Sequence, residues 1–237
     1  MSSEIRLSSN PKSRFSEAIK TIRTNLAFSS IDKELKVILM TSPEAGDGKS
    51  YISANLAVAY AQEGKKVLII DADLRKGRQH EINDVTNSIN LGYSNLILKY
   101  DEDINLKDYI IQTPNKDVFL IPTGPTPPNP IELLDSENNK KVIEKLREEF
   151  DIIIIDCTPV IGLSDALVMT KFSDVNIIVV SNKKTKFENL ERTKKMFEQA
   201  NIKISGVIIN KAQTKQNSYY SYYTNDDYYL KKDKKKK

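Results

Sequence analysis

Short aliphatic runs punctuate this chain, most of them separated by enough polar sequence to form a helix. KVILMT (36–41), KVLIID (66–71), DIIIID (151–156), VNIIVVS (175–181) and GVIIN (206–210) are continuous rather than alternating. Such runs suit strands covered on both faces, as in a parallel sheet. VFLIP (118–122) reads as a sixth strand. Between them, residues 53–66 carry a helical pattern ending at Gly64, a C′ glycine with lysines beside it. Residues 138–150 place Val142, Leu146 and Phe150 at helical spacing. Residues 186–201 repeat Phe187, Leu190, Met196, Phe197 and Ala200 on one face. Strand and helix in alternation imply right-handed crossovers and an α/β fold, a mainly parallel central sheet flanked by helices.

The two ends depart from that alternation. Ahead of the first strand, residues 13–30 place Phe15, Ala18, Ile19, Ile22 and Leu26 on an amphipathic helix. It is either a packing helix or a subunit interface, and periodicity does not separate the two. After the last strand apolar periodicity stops, and residues 212–237 are expected to form a flexible tail. The chain therefore divides into an N-terminal helix (1–30), an α/β domain (31–211) and the tail (212–237). Residues 76–117 carry turn signals and weak helices and receive no firm assignment.

The first strand runs into SPEAGDGKS (42–50), which a helix follows. Strand, glycine-containing loop and helix are the context of a phosphate-binding loop. Glycines let successive N–H groups form an anion nest, and the helix N-terminus adds partial positive charge. Lys49 can reach the β- and γ-phosphates, and the Ser50 hydroxyl is a Mg²⁺ ligand of the pattern. Pro43 stands at the first glycine position of that pattern, but Gly46, Gly48, Lys49 and Ser50 keep its geometry. The nucleotide contacts fall to Gly46, Asp47, Gly48, Lys49, Ser50 and Tyr51. The fold is thus a P-loop NTPase.

Carboxylates stand where two further strands end. KVLIIDADLRKG carries Asp71 and Asp73, and DIIIIDCTP carries Asp156. Ligands of open α/β sheets collect at the carboxyl ends of strands, so these acids can face the loop. Mg²⁺ keeps several waters and takes one or two carboxylates plus phosphate. Its protein ligands are expected to be Ser50, Asp156 in the Walker-B role and Asp71. Asp73 can orient or deprotonate an incoming hydroxyl near the γ-phosphate. The catalytic set is then Lys49, Asp71, Asp73 and Asp156. Arg75 can serve phosphate oxygens or form a plain salt bridge.

Composition narrows the function classes. The formal net charge of +4 sits largely in the terminal KKDKKKK run, so the body is near neutral, which argues against a nucleic-acid partner. One cysteine (Cys157) excludes a disulfide framework and suits a reducing compartment, and one histidine (His80) leaves little room for a zinc site. No apolar run approaches the roughly 18–20 residues of a membrane span, and the chain is expected to be cytoplasmic.

The order Asp71-x-Asp73-x-Arg75 after a strand, then DIIIIDCTP, resembles the bacterial tyrosine kinases of capsule and exopolysaccharide synthesis. Glu17-x-x-Lys20-x-x-Arg23 is similar to that family's N-terminal self-association motif. PTGPTPPNPIELLDS (122–136) matches another of its segments, and SYYSYYTNDDYY (218–229) is similar to its tyrosine-rich C-terminus. Lys20 stands where the family prefers arginine, Cys157-Thr158-Pro159-Val160 replaces a more usual Asp-Thr/Ser-Pro-Pro, and Ala45 and Gly77 replace common prolines. The resemblance implies transfer of the γ-phosphate of ATP, with Mg²⁺, to tyrosine. Its acceptors would be Tyr219, Tyr220, Tyr222, Tyr223, Tyr228 and Tyr229, reached in trans within a homo-oligomeric ring that uses Glu17, Lys20 and Arg23. It further implies a separate membrane-anchored activator, whose cytoplasmic segment recruits the kinase to the inner face of the membrane, and a cognate phosphotyrosine phosphatase.

Other readings stay open. A partitioning ATPase of the ParA/MinD type shares the sheet and both acidic motifs but carries an early lysine in its loop, where Glu44 stands here. A nucleotide-binding regulatory subunit of low activity is the third. Asn210 occupies a place where related ATPases contact adenine, and a turn or cap role suits it nearly as well. The lysine run can approach anionic lipid or simply be solvated.

Overall fold

The structure, a computed structural model, describes residues 5–29, 34–85, 91–100, 104–182 and 184–212. The tail expected beyond Ala212, with its six clustered tyrosines, lies outside the described residues.

Two helices, α1 (Arg6–Ser9) and α2 (Arg14–Ser29), precede β1 (Val37–Thr41). Then follow α3 (Lys49–Ala61), β2 (Val67–Asp71), α4 (Gln79–Ile82), α5 (Tyr93–Leu98), β3 (Ile111–Gln112) and β4 (Val118–Ile121). The second half holds α6 (Pro130–Leu134), α7 (Glu137–Glu149), β5 (Ile152–Asp156), α8 (Asp165–Met169), β6 (Val175–Ser181), α9 (Phe187–Gln199) and β7 (Gly206–Asn210). The strands form one seven-stranded sheet in the order β3-β4-β2-β5-β1-β6-β7. All pairings are parallel except β3 with β4. The expected α/β fold with a mainly parallel sheet is what forms.

Every residue of β1, β2, β5 and β6 is buried, as continuous aliphatic runs require. One face of the sheet packs Leu39, Ile70, Ile155 and Ile178 against Leu146, Phe150, Met169 and Phe197. The other packs Ile38, Met40, Ile69, Ile154 and Ile177 against α3 and the N-terminal helices. The strand starts are tied by carboxylates: Asp174 accepts from the Lys36 and Val37 N–H groups at 2.9 and 2.6 Å.

β7 differs from expectation. As the terminal strand of the sheet it alternates half-buried and exposed positions, leaving Val207 49% and Ile209 64% exposed. Its aliphatic run therefore marks an edge strand with one open face, not a strand covered on both.

Helix α3 starts at Lys49, directly on the loop, and is buried through most of its length. The reason is α2, which packs on it and supplies Ile19 and Leu26 to the same apolar cluster. Leu7 in α1 donates its N–H to Asn55 Oδ1 of α3 at 3.0 Å. The N-terminal amphipathic helix thus acts as a packing helix in the described structure. Two short elements of the unassigned middle segment, α4 and α5, line the loops beyond β2 and β4.

Candidate functional site

β1 delivers the chain to residues 42–48, which turn back into α3. Gly46 and Gly48 take positive φ, 83° and 97°, as a loop this tight requires. At Gly48 space is also closed, since a Cβ there would lie 2.1 Å from Asn210 Nδ2. The Asp47 side chain is buried: Oδ2 accepts the Glu44 N–H at 3.1 Å and Oδ1 accepts the Thr185 hydroxyl at 2.9 Å. Asn210 Nδ2 donates to the Asp47 carbonyl at 2.9 Å, Lys211 Nζ to the Gly46 carbonyl at 2.9 Å, and Lys184 Nζ to the Ala45 carbonyl. Side chains beyond β6 and β7 thus hold the loop by its carbonyls, an arrangement suited to a nest of N–H groups that receives an anion. Asp47 and Asn210 are placed as braces of the loop. Tyr51 follows in the first turn of α3, its ring 5.5 Å from that of Phe15.

Sheet register brings the acids together. Asp71 is the register partner of Asp156 across β2 and β5, and Asp156 pairs with Met40 at the end of β1. Lys49, only 8% exposed, extends from α3 into this group. Its ammonium lies 3.2 Å from Asp156 Oδ1, 3.5 Å from Asp73 Oδ2 and 3.2 Å from the Ser50 hydroxyl. Asp73 also accepts the Lys76 N–H at 3.0 Å, which fixes its carboxylate in the turn after β2. Arg75 takes the salt-bridge option: its Nε donates to buried Asp165 at 3.1 Å. Gly77 lies against the Asp71 carboxylate, where a Cβ would come within 2.6 Å of Asp71 Cγ.

Charge and burial work against each other here. Burial alone would lower the Lys49 pKa, but Asp156, Asp73 and Asp71 outweigh it and hold it above its ordinary value. Burial pushes Asp71 up to about 8, and the neighbouring Asp156 charge adds to the rise. A hydrogen bond from the Gln79 N–H and the charge of Lys49 oppose that rise. Cys157, buried beside Asp156, has its thiol pushed well up by desolvation, so it behaves as a small packing residue.

These residues fit a divalent cation held with phosphate. Asp71 Oδ1 is buried and has no hydrogen-bond partner among the described residues. No group of three or more His, Cys, Asp or Glu side chains among those residues forms a ready cation cage. Mg²⁺ is bound through one or two carboxylates plus phosphate and water, and Asp71 and Asp156 could supply the carboxylates.

Sequence reading missed Gln79, the buried first residue of α4. Its backbone N–H donates to Asp71 Oδ2 at 2.8 Å, and its Nε2 donates to Asp156 Oδ2 at 2.8 Å and to the Ser50 carbonyl at 3.0 Å. It stands in the segment that gave no pattern. Thr185, Lys184 and Lys211 were missed as loop braces because they stand just past β6 and β7, and only the fold brings those strand ends to the loop.

The residues expected to mediate self-association lie on α2. Glu17 and Lys20 pair with each other at 2.7 Å, and Lys20 also donates to the Pro11 carbonyl at 3.1 Å. Arg23 turns inward, donating to the Ala59 carbonyl of α3 at 2.7 Å and pairing with Glu63.

Residues 35–210 match the AAA domain family. A tyrosine-protein kinase of Bacillus subtilis, YwqD, is 36% identical over 222 residues, covering 94% of this chain and 92% of that protein. The crystal structure of the chimerical protein CapA2B2 superposes with a TM-score of 0.83 at 36% identity, covering 90% of this chain and 92% of that one. The septum site-determining protein MinD of Pyrococcus horikoshii, complexed with Mg-ADP, is more distant: TM-score 0.61, 26% identity, 77% of this chain and 72% of that one.

Proposed function

This chain belongs to the bacterial tyrosine-protein kinases, and from that premise we propose that it transfers the γ-phosphate of Mg·ATP to its own C-terminal tyrosines. The observation that carries the reading is the convergence of Lys49, Asp71, Asp73 and Asp156 beside a glycine loop at the carboxyl edge of the sheet. The partitioning-ATPase reading is weaker, because Glu44 replaces its early loop lysine and the likeness to MinD is lower than to CapA2B2.

Residues of the loop bind the phosphates through backbone N–H groups at a helix N-terminus. Lys49 neutralises phosphate charge, and Ser50, Asp71 and Asp156 would hold Mg²⁺ and its waters. A cation held there would supply positive charge against the charge that develops on the transferred phosphate. Asp73, fixed by Lys76, accepts a hydrogen bond from the tyrosine hydroxyl and takes its proton as the oxygen attacks the γ-phosphorus, whose bond to the β,γ-bridging oxygen breaks and releases ADP. Burial of Lys49 and the acids excludes water that would compete with tyrosine as acceptor.

Tyr219, Tyr220, Tyr222, Tyr223, Tyr228 and Tyr229 are the acceptors in this reading. The tail of one subunit serves the site of its neighbour within a ring. No helix among the described residues is long and apolar enough to cross a membrane. Family resemblance supports a separate membrane-anchored activator, placement at the inner face of the membrane, control of capsular or exopolysaccharide assembly, and reversal by a phosphotyrosine phosphatase.

The test is mass-spectrometric mapping of phosphotyrosine after incubation with Mg·ATP and the activator's cytoplasmic peptide. Tail phosphorylation is expected in the wild type and its loss in Lys49→Met. Equal phosphorylation in both would show that another kinase does the work.

A further inference from the structure

Gln79 is the residue that the kinase reading leaves without a role and the structure uses most fully. Its amide nitrogen reaches the Asp156 carboxylate at 2.8 Å and the Ser50 carbonyl at 3.0 Å. Its amide oxygen accepts from Asn83 Nδ2 at 2.9 Å. Every donor and acceptor of the amide therefore has a partner. The orientation is fixed by those partners, because a flipped amide would set its oxygen against a carboxylate and a carbonyl. Its backbone N–H, at 2.8 Å, holds Asp71 Oδ2. Asn83 Nδ2 also lies 2.9 Å from the Gln79 carbonyl, so one side chain grips both ends of the residue.

One residue thus ties three elements: the end of β2, the end of β5 and the first turn of α3. Gln79 holds each aspartate by one oxygen only. Asp71 keeps Oδ1 buried and unpartnered among the described residues, and Asp156 keeps Oδ1 toward Lys49. Clamped at one oxygen each, the two carboxylates are kept in place relative to one another and to α3, with Asp71 Oδ1 left for a cation and Asp156 Oδ1 toward Lys49. Residues that orient metal ligands from behind commonly set metal affinity by about 10- to 100-fold.

We infer that Gln79 is a positioning residue that sets the affinity of the site for Mg²⁺ with nucleotide, by clamping Asp71 and Asp156 against the first turn of α3. The inference rests on the kinase reading, in which these acids serve the cation. Asn83 is the residue that holds the clamp.

Binding of a fluorescent ADP is measured in EDTA and across a Mg²⁺ titration, for full-length wild type, Gln79→Leu, Gln79→Glu and Asn83→Ala. Gln79→Leu removes the two side-chain donors, and Gln79→Glu sets a carboxylate against Asp156. Both are expected to shift the Mg²⁺ midpoint upward by about 10- to 100-fold while binding in EDTA stays within about twofold of wild type. Asn83→Ala is expected to move the midpoint the same way by less, and it carries the test if thermal melting shows that Gln79→Leu does not fold. An unchanged midpoint in a folded variant overturns the inference, as does an equal loss of binding with and without Mg²⁺. Wild-type binding that ignores Mg²⁺ would overturn the kinase reading, and the inference with it.

Discussion

At Asp71 two demands conflict: a cation needs an ionised carboxylate there, yet burial and the adjacent Asp156 favour the protonated form. With its pKa near 8 in the folded chain, against 3.8 for an ordinary aspartate, Asp71 keeps a proton that the unfolded chain has released. Between those values the folded state binds more protons, so this group's contribution to stability is full below the lower value and is lost as pH rises through the higher one. Asp71→Asn removes the titration yet keeps an oxygen for the Gln79 N–H. In EDTA the variant should therefore be more stable relative to wild type at pH 8 than at pH 5. Thermal melting of both proteins at the two pH values checks this, and a variant that loses ground as pH rises would reverse the sign argued here. Lys49, whose pKa is held above its ordinary value, contributes in full throughout this window and loses that contribution only at higher pH, so it does not change the comparison.

At the scale of elements, the loop between β1 and α3 depends on the backbone at Gly48. Its φ of 97° strains a side chain, and a Cβ would meet Asn210 Nδ2, which itself holds the Asp47 carbonyl. Gly48→Ala should cost about 1–3 kcal/mol of stability from strain alone and, by displacing Asn210, loosen the loop and weaken nucleotide binding. Urea unfolding with fluorescent-ADP titration checks both, and full affinity in a folded Gly48→Ala would show that the bracing is dispensable. The same elements mark what the sequence makes legible. Long aliphatic runs announced the parallel strands, and Asp71, Asp73 and Asp156 were found because they end such runs. β3, α4 and α5, of two to six residues, are too short to leave a period. Gln79 was hidden because its meaning depends on the register that sets Asp71 beside Asp156. The open face of β7 was hidden too, since strand order, not residue pattern, decides which strand is last.

For the whole molecule, the balance of charge gives the proposed assembly a test. Residues 213–237 carry seven lysines against three aspartates, matching the net +4 of the chain, so the remainder is formally neutral. A cationic tail suits a site where three aspartates face one lysine. Each phosphotyrosine brings roughly −1.5 to −2 charges at neutral pH, so about three of the six would reverse the tail's sign. In the proposed ring a phosphorylated tail would be repelled by those acids, and the assembly should loosen. On α2, the Glu17–Lys20 pair is exposed and within reach of a neighbour in the proposed ring, whereas Arg23 is spent on Ala59 and Glu63 within the chain. Glu17→Ala should therefore lower the assembled mass without changing the melting temperature much, while Arg23→Ala should lower the melting temperature of the subunit itself. Light scattering on the full chain, before and after incubation with Mg·ATP and the activator peptide, should show the mass fall as phosphotyrosine accumulates. A mass that holds constant while mass spectrometry finds several phosphorylated tail tyrosines would separate the tail from assembly, leaving it a substrate without a switch.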